Sequence, residues 1–524
     1  MEKHPLKRIA IDDIAEPSVR LFDPEIEAVA KQAIDAIRAG KEPELRRWAE
    51  RLDGLPVGAP LVISRDELKA AYDKLPKKTT ELMERAKGRV AAFAAAQRAC
   101  LTPLELPIRI EPIKMKSQMY SSEARRPPDP NEFSHPGEFI DPSDPNDSSE
   151  FSHPNEFSDP SEFSDPNDLN DLEDSNDTNR PTTLNIATGE MAAKRNTGRG
   201  EKGALVGRHG HDLVPVARVG CYVPGGAFPL PSSAIMTVVP AKVAGVEEVW
   251  CAGPRPSNET LAAAWVAGAD GFLQVGGAHA IAALAFGICI PRCDIIVGPG
   301  GKYVMAAKRQ LFGIVGTEAP AGPSELLIIA DKTADPDMIA ADLLAQAEHS
   351  PDAMPAAIVS EETIALEIEK SLMTRLEDLP EPNQSIAYRA LSNGFLCVEQ
   401  DLLRIVEGAN RCAPEHLEIA TSDPVGLMKQ IKNAGSIFLG IGSAEVFGDY
   451  GAGPNHTLPT GGASRFAAGL SVLCFLRART WLAIENPELL AEDTAAFARL
   501  EGLEAHAQAA LARVHKHKNK GPDS

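Results

Sequence analysis

The sequence predicts an α/β protein with two parallel-sheet domains, small helical terminal segments and a disordered acidic insertion. Three observations predict this fold class. Short apolar strands alternate with helical runs after residue 204, helical patterning covers residues 24–100, and a proline-rich acidic repeat separates the two regions. Repeated strand–helix alternation is typical of a parallel sheet covered by helices. A chain of 524 residues is long enough for two or three domains with sizeable cores.

The N-terminal region is predicted as a short segment, residues 1–23, followed by helices. The stretches "PEIEAVAKQAIDAIRAG" and "TTELMERAKGRVAAFAAAQRA" have helical periodicity. The start, "MEKHPLKRIAIDDIAEP", lacks the apolar core of a secretory signal, and the sequence contains no long uncharged apolar run. The eight cysteines form no CxxC pair, so a thiolate zinc site has no support and reduced thiols are expected. We therefore expect a cytoplasmic protein that does not bind membranes.

Residues 117–203 are predicted to be a disordered, low-complexity acidic insertion. Phenylalanine recurs with a six-residue period in units such as "EFSHPG" and "EFSDPS". A hexapeptide period can indicate a β-helix, but nearly every unit contains a proline, which removes ladder donors, and an acidic residue. Residues 127–179 hold 16 Asp and Glu and no Lys or Arg, so most of the net charge of -21 is local. Because the sequence has no basic stripe with interleaved aromatic residues, nucleic acid is not an expected partner.

Residues 204–330 are predicted as the first α/β domain. The strands "RVGCYV", "GFLQVG" and "CDIIVG" are followed by the glycine-rich turns "VPGG", "VGGAHA" and "VGPGG". Backbone amides at such turns can bind a phosphate group, assisted by the dipole of the following helix. None of the turns is GxGxxG, and each alone is more typical of a tight turn than of a cofactor site. Three turns at the carboxyl edge of one sheet nevertheless favour a cofactor site.

The second α/β domain is predicted to combine residues 24–116 with 331–469, and residues 470–524 are predicted as a helical tail. Its polar residues cluster in four motifs, "DLLAQAEHSPDA", "APEHLE", "FGDYGAGPNHTLPTGG" and, in the tail, "EGLEAHA". Gln346 and His349, three residues apart, leave the same face of a helix. On periodicity alone they fit either a solvated last turn or half of a metal site. Nitrogen and oxygen ligands without thiolates would suit zinc or another divalent metal.

Taken in order, these motifs resemble the histidinol dehydrogenase family. The motifs that carry the resemblance are "RVGCYVPGG", "PAKVAGV", "VGGAHAIAALAFG", "VGPGGKYVMAAKRQLFG", "AGPSE", "DLLAQAEHSPDA", "APEHLE", "NAGSIFLG", "GDYGAGPNHTLPTGG" and "EGLEAHA". The resemblance runs from about residue 214 to about 510 and, more weakly, over the N-terminal helical part. It implies two Rossmann-like domains, with 204–330 binding NAD, and an intertwined homodimer. It also implies an NAD- and zinc-dependent enzyme of histidine biosynthesis that oxidises L-histidinol through L-histidinal to L-histidine, consuming two NAD.

The resemblance assigns roles to individual residues. One zinc ion per subunit would be bound by Gln346, His349, Asp449 and, from the tail of the partner subunit, His506. Glu415 and His416 match the catalytic pair: a histidine suits removal of the hydroxyl proton at neutral pH, and the carboxylate can activate the water that hydrates the aldehyde. His456 matches a histidine in the same loop as Asp449. The residues that match substrate contacts are Ser324, Gln346, His349, His416, Asp449, Glu501 and His506.

The cofactor side departs from the family pattern at two positions. Tyr222, His279 and Gly301 match NAD contacts, but the family usually has Gln in "GGAQA" and Asn in "GPGNAYV" where this sequence has His279 and Gly301. Histidine can still donate a hydrogen bond, whereas glycine loses a side-chain contact. The sequence therefore predicts weaker or altered NAD binding, with the metal and acid–base sets intact.

Two other functions remain open at this stage. One is a relative on the same scaffold that oxidises another polar alcohol, such as sulfopropanediol, because the region of "RVGCYVPGG" also resembles that branch. Ser324, Glu501 and His506 favour a substrate with an imidazole and an amine. The other is a catalytically silent binding protein whose working part is the acidic repeat; the intact metal set argues against it.

Overall fold

The structure, a computed structural model, describes residues 6–15, 23–110, 204–225 and 229–518. The predicted insertion, 117–203, lies outside the described residues, as does part of the N-terminal segment 1–23. Over the described ranges, no helix combines the length and the apolar character needed to cross a membrane.

The described strands and helices largely alternate along the chain after residue 215. The strands are β1 (Lys7–Ile9), β2 (Val62–Ser64), β3 (Leu104–Ile110), β4 (Ala204–Pro215), β5 (Arg218–Tyr222), β6 (Glu248–Ala252), β7 (Gly271–Leu273), β8 (Ile295–Val297), β9 (Gly316–Thr317), β10 (Glu325–Ala330), β11 (Met354–Val359), β12 (Phe395–Val398), β13 (His416–Ala420), β14 (Ser436–Leu439) and β15 (Leu476–Ile484). The helices are α1 (Pro24–Trp48), α2 (Arg65–Asp73), α3 (Lys77–Ala99), α4 (Pro231–Ala244), α5 (Asn258–Ala267), α6 (Gly277–Phe286), α7 (Lys302–Leu311), α8 (Pro336–Glu348), α9 (Glu362–Glu377), α10 (Asn383–Leu391), α11 (Leu402–Cys412), α12 (Pro424–Met428), α13 (Glu445–Asp449), α14 (Glu488–Leu500) and α15 (Glu504–Lys518). A π-helical turn, Ala49–Asp53, continues α1.

The first sheet has the strand order β2-β7-β6-β5-β8-β9 and is parallel except at β2. Its central strand reads "RVGCY", a continuous apolar run from Val219 to Tyr222, as expected for a parallel strand with both faces covered. The alanine-rich helix α6 is almost entirely buried and packs against α1 and α7. Small side chains on α6 allow this close packing, which places the N-terminal helices on the first sheet.

This arrangement differs from the predicted grouping of residues 24–116 with 331–469. In the structure β2 pairs with β7, and α1, α2 and α3 pack against α6, α5 and α4. Conversely β10, which was grouped with 204–330, lies at the centre of the second sheet. Sheet membership depends on contacts between distant segments, which hydrophobic periodicity does not encode.

The second sheet is parallel throughout, with the order β1-β12-β11-β10-β13-β14. The N-terminal strand β1 joins it at one edge beside β12. Two apolar clusters fill its faces: α8, α9 and α10 cover one, and α11 covers the other together with Ile11 and Ile14, which lie in and directly after the short 3-10 helix Ile11–Asp13. The sheet therefore has the covered, two-faced core predicted from its apolar strands.

The third sheet contains β15, β4 and β3, with β15 antiparallel to β4. The predicted tail 470–524 is thus helical only in part, since Leu476–Ile484 forms a strand. The described residues divide into two compact units, the first within 1–108 and 207–485 and the second within 109–206 and 486–524. In the second unit α14 packs against α15 through Ala495, Ala498 and Ala507.

Candidate active site

The predicted acid–base pair lies at the amino edge of the second sheet. Ser324 directly precedes β10, Glu415 directly precedes β13, and His416 is the first residue of β13. Since Leu326 is paired with His416 in the parallel register, the starts of the two strands lie side by side. Open parallel sheets more often bind ligands at their carboxyl edge, so this site uses the opposite edge.

The carboxyl group of Glu415 is anchored through one oxygen. Its Oε2 accepts hydrogen bonds from Ser324 Oγ at 2.7 Å and from the backbone N–H of Glu325 at 2.9 Å. Burial raises the pKa of Glu415 well above its ordinary value, although these two hydrogen bonds act in the opposite direction. The side chain is therefore fixed in position and, when ionised, is a stronger base than a solvated carboxylate.

The imidazole of His416 is buried and oriented by a backbone carbonyl. Its Nδ1 lies 3.1 Å from the carbonyl oxygen of Glu325, which can only accept, so Nδ1 carries the proton and Nε2 is free of it. Burial lowers the pKa of His416 to about 4, while the charge of Asp449 acts in the opposite direction. The ring is therefore neutral at physiological pH and offers Nε2 as a proton acceptor.

The end of α8 brings two of the predicted zinc ligands to this site. Gln346 is 0% exposed, and neither its Oε1 nor its Nε2 has a hydrogen-bond partner. His349, whose side chain is 33% exposed, places its Nε2 3.3 Å from Oδ2 of Asp449 at the end of α13. Burial acts to raise the pKa of Asp449, but the hydrogen bond from His349 and the charges of nearby histidines outweigh it and lower this pKa.

The side chains of Gln346, His349 and Asp449 are of types that bind a zinc ion. An amide oxygen without a partner, an imidazole nitrogen and a carboxylate oxygen are ligand types that zinc accepts, and a buried amide left without any partner costs about 1–3 kcal/mol. Over the described part of the chain, no group of three or more His, Cys, Asp or Glu side chains is placed to hold a metal. Gln346, His349 and Asp449 include only two side chains of these four types, because the third is a glutamine.

The loop after α13 connects the acid–base pair to the first α/β domain. Asn455 donates from Nδ2 to the carbonyl oxygen of Met236 in α4 at 2.6 Å. His456 is partly buried, its buried Nε2 has no hydrogen-bond partner, and burial lowers its pKa. Gly461 donates its N–H to Oε1 of Glu325 at 2.9 Å. The loop that follows Asp449 and contains His456 therefore contacts α4 beside the first sheet and β10 of the second sheet.

The residues predicted to contact the cofactor lie at the carboxyl edge of the first sheet. Tyr222 ends β5, and its hydroxyl accepts a hydrogen bond from the N–H of Gly277 at 3.1 Å. His279 is buried, with Nε2 3.0 Å from Oδ2 of Asp53. Gly301 directly precedes α7, whose first turn has no side-chain cap, and a Cβ at Gly301 would meet no atom within 4 Å. Open space beside uncapped backbone donors fits a phosphate-bearing cofactor.

Comparison with known proteins identifies the family. A sequence model described as histidinol dehydrogenase matches residues 182–514. The chain belongs to the histidinol dehydrogenase family. It is 50% identical to the histidinol dehydrogenase of Thermus thermophilus over 298 residues. This aligned region covers 56% of this chain and 72% of that protein. It is 44% identical over 317 residues to the enzyme of Aquifex aeolicus, covering 60% of this chain and 73% of that protein.

A solved structure confirms the predicted fold class. The crystal structure of histidinol dehydrogenase from Elizabethkingia anophelis superposes with a TM-score of 0.74, covering 99% of this chain and 100% of that one at 24% sequence identity. The resemblance stated from the motifs is therefore confirmed at the level of family and of α/β fold. A histidinol dehydrogenase family member is an oxidoreductase, which agrees with an acid–base pair rather than with a silent scaffold.

Two predicted residues of this family member lie in the second structural unit. Glu501 follows α14, and His506 lies in the first turn of α15; both residues are exposed. The backbone N–H of His506 bonds to the carbonyl oxygen of Leu503 at 3.1 Å. Their roles in substrate and zinc binding stay predictions.

Sequence reasoning missed several buried acids near His416. Both carboxylate oxygens of Glu445 lack hydrogen-bond partners. The Oε2 atom lies 3.6 Å from Nδ1 of His416, which is too far for a hydrogen bond. Glu418 accepts the N–H of Glu445 at 2.6 Å, and burial raises the pKa of Glu418 and of its hydrogen-bonded neighbour Asp342. Glu325 is partly buried, and burial raises its pKa to about 7. A glutamate inside the apolar strand "HLEIA" was the available signal for Glu418.

Proposed function

We propose that this protein is a histidinol dehydrogenase that oxidises L-histidinol through L-histidinal to L-histidine, with two NAD as hydride acceptors. The observation that carries the proposal is the pairing of a neutral, oriented His416 with an anchored Glu415, together with the unpartnered amide of Gln346 and the contact of His349 with Asp449. The similarity to relatives named histidinol dehydrogenase supports the substrate.

In the first oxidation, the primary alcohol loses its hydroxyl proton to Nε2 of His416 while a hydride leaves the carbinol carbon. NAD, when bound, supplies the acceptor for that hydride. The Nδ1–H bond to the carbonyl oxygen of Glu325 keeps the ring in the tautomer that can accept the proton. The products of this half-reaction are L-histidinal, NADH and one proton.

The second oxidation needs a hydrated aldehyde, because an aldehyde carbon cannot otherwise end as a carboxylate. Glu415 takes a proton from the water that adds to the carbonyl carbon, and Ser324 and the N–H of Glu325 keep its carboxylate in position. A second hydride then leaves the carbon of the gem-diol, and His416 again accepts a hydroxyl proton. The products are the carboxylate of L-histidine, NADH and two protons.

Three residues of this chain would hold the zinc ion, namely Gln346, His349 and Asp449, and we propose His506 of the partner subunit as the fourth. Zinc, when bound, supplies a Lewis acid that binds the imidazole and amine nitrogens of the substrate and so fixes its orientation. A neutral glutamine leaves the protein ligands with one negative charge, so the metal keeps positive charge for nitrogen donors. The proposal therefore includes a homodimer with one zinc per subunit, acting in the cytoplasm.

The proposed substrate contacts follow the same ligand set. Ser324, His416, Glu501 and His506 would complete binding of L-histidinol, and Tyr222, His279 and Gly301 would lie near NAD. Four of these residues already make internal hydrogen bonds: Ser324 to Glu415, His416 to Glu325, Tyr222 to Gly277 and His279 to Asp53.

The deciding experiment measures NADH formation from L-histidinol, with and without a chelator, for the wild type and for His416→Ala and His349→Ala. We expect zinc-dependent turnover in the wild type, loss in both variants and a dimer by light scattering. Dihydroxypropanesulfonate serves as the comparison substrate. Turnover of that compound without any L-histidinol oxidation by zinc-loaded protein would refute the proposed substrate.

A further inference from the structure

The "VGGAHA" turn of the first sheet is closed by a carboxylate of the protein itself. Asp53, the last residue of the π-helical turn after α1, is nearly buried. Its Oδ2 accepts the N–H of Gly276 at 2.9 Å and lies 3.0 Å from Nε2 of His279. Gly276 is the residue that precedes the first turn of α6. A negative charge from the N-terminal helices therefore lies at the start of this helix.

The start of α6 is the place where a phosphate would otherwise be bound. The first four N–H groups of a helix have no partner inside the helix, and together with the helix dipole they attract an anion. Here Asp53 accepts the N–H of Gly276, and the hydroxyl of Tyr222 accepts the N–H of Gly277. Two of the four donors are thus already used, one of them by a carboxylate.

Packing holds Asp53 and His279 in this arrangement. The imidazole of His279 lies against the indole of Trp48, with ring centroids 5.7 Å apart. Trp48 ends α1, which packs along α6. Asp53 and His279 are 226 positions apart in the sequence, so the pair fastens the N-terminal helices to the turn.

The "VGPGG" turn is closed in the same way. Oε1 of Glu318 accepts the N–H of Gly298 at 2.9 Å and lies 2.6 Å from Nζ of Lys308. In both glycine turns that the structure describes in full, the N–H of the first glycine is therefore bonded to a carboxylate of the chain. This arrangement contrasts with a phosphate-binding role for the first glycine of each turn, whereas the start of α7 at Gly301 stays open.

We propose that Asp53 is a positioning residue of the cofactor side. Its carboxylate keeps the pyrophosphate of NAD out of the "VGGAHA" turn and holds His279 away from that pyrophosphate. The inference rests on the proposed function, since it presupposes that NAD is the cofactor. It follows that the charge of Asp53 opposes the diphosphate and limits cofactor affinity. The adenosine part of the cofactor carries no such charge and is not opposed.

The test compares ligands with and without phosphates on the full-length zinc-loaded protein. NADH affinity is measured by fluorescence titration and adenosine affinity by calorimetry, for the wild type and Asp53→Asn. Asparagine keeps the shape and, with its amide oxygen in the place of Oδ2, an acceptor for the N–H of Gly276 and for an N–H at Nε2 of His279. We expect the dissociation constant of NADH to fall about three- to tenfold, the effect of one partly screened charge, and that of adenosine to stay the same.

The matched control is Asp35→Asn, which removes an exposed charge from α1 that is paired with Lys31. This variant should bind NADH as the wild type does. Weaker NADH binding by Asp53→Asn would mean that the carboxylate contacts the cofactor, and that result overturns the inference. An unchanged dissociation constant overturns it as well.

A second measurement uses only the wild type and so does not depend on the stability of a variant. Amide hydrogen exchange of the peptide that contains Gly276 and Gly277 should be the same with and without NADH, because both amides are already bonded. New protection of these amides by NADH would overturn the inference. If the wild type oxidises L-histidinol while these results fail, only the inference is refuted; if it neither turns over L-histidinol nor binds NADH, the proposed function and the inference are both refuted.

Discussion

The unpartnered amide of Gln346 leads to a prediction about stability without metal. Gln346 is completely buried at the end of α8, and neither amide atom has a partner. Leucine has a similar size and no polar atoms, so Gln346→Leu removes the cost of the unpaired groups. That cost is about 1–3 kcal/mol in proteins. We therefore expect the metal-free variant to be more stable than the metal-free wild type by about this amount.

Zinc should reverse the order of stability. A ligand at 100 times its dissociation constant stabilises the folded state by about 2.7 kcal/mol, and the variant lacks one of the proposed ligands. The wild type should therefore gain more stability from added zinc than Gln346→Leu does. Such an exchange of stability for binding is expected where a polar group is kept buried for its function.

The assay is thermal unfolding followed by circular dichroism, in chelator and then with added zinc. The matched control is Gln310→Leu, because Gln310 donates from Nε2 to the carbonyl oxygen and the carboxylate of Glu27. Removing a bonded amide should lower the unfolding midpoint in both conditions. A lower midpoint for metal-free Gln346→Leu would show that its amide is hydrogen-bonded in the absence of metal, and the reasoning would be refuted.

Three further predictions concern the acid–base pair and its surroundings. Ser324→Ala removes one of the two hydrogen bonds to Glu415, so its pKa should rise further; we expect kcat for L-histidinal oxidation to fall about tenfold and the acid limb of the pH profile to move to higher pH. His416→Gln should lower kcat by about 10²–10⁴-fold with a smaller change in KM, and a nearly unchanged kcat would exclude this base. Burial raises the pKa of Glu325 to about 7, so its contribution to stability is fully present below the unfolded pKa and is lost as pH rises through 7. Glu325→Gln keeps an acceptor for Gly461 and should stabilise the protein by about 2–3 kcal/mol at pH 8, with little effect at pH 4, as urea unfolding at the two pH values can show.

The local features of the site could be predicted from the sequence. The three-residue spacing in "DLLAQAEHSPDA" predicted that Gln346 and His349 leave the same face of one helix, and α8 ends at Glu348 with His349 directly after it. The strand–helix alternation likewise predicted parallel sheets. These features depend on the helical period of 3.6 residues and on turn residues, which act within a few positions along the chain.

The features that could not be predicted depend on pairing between distant segments. Ser324 and Glu415 are 91 positions apart, and their contact requires the register between β10 and β13. For the same reason, periodicity could not show that Asp53 meets His279 or that α1 packs on the first sheet. The buried carboxyl of Glu445 is invisible to pattern reasoning, because a glutamate in "SAEVFGD" is usually a solvated residue.

A single short segment ties the proposed cofactor side to the acid–base pair. Glu318, at the beginning of this segment, accepts the N–H of Gly298 in a turn of the first sheet, and Ser324, at its end, donates to Glu415 at the edge of the second sheet. Within the segment, the carbonyl oxygen of Pro320 accepts a hydrogen bond from the N–H of Thr460, and the N–H of Gly322 donates to Oγ1 of Thr460. Residues 318–324 therefore connect the two sheet edges through a hydrogen-bonded segment. Because hydride transfer requires the carbinol carbon to be held against both the base and the acceptor, a shift of this segment would disturb both half-reactions together.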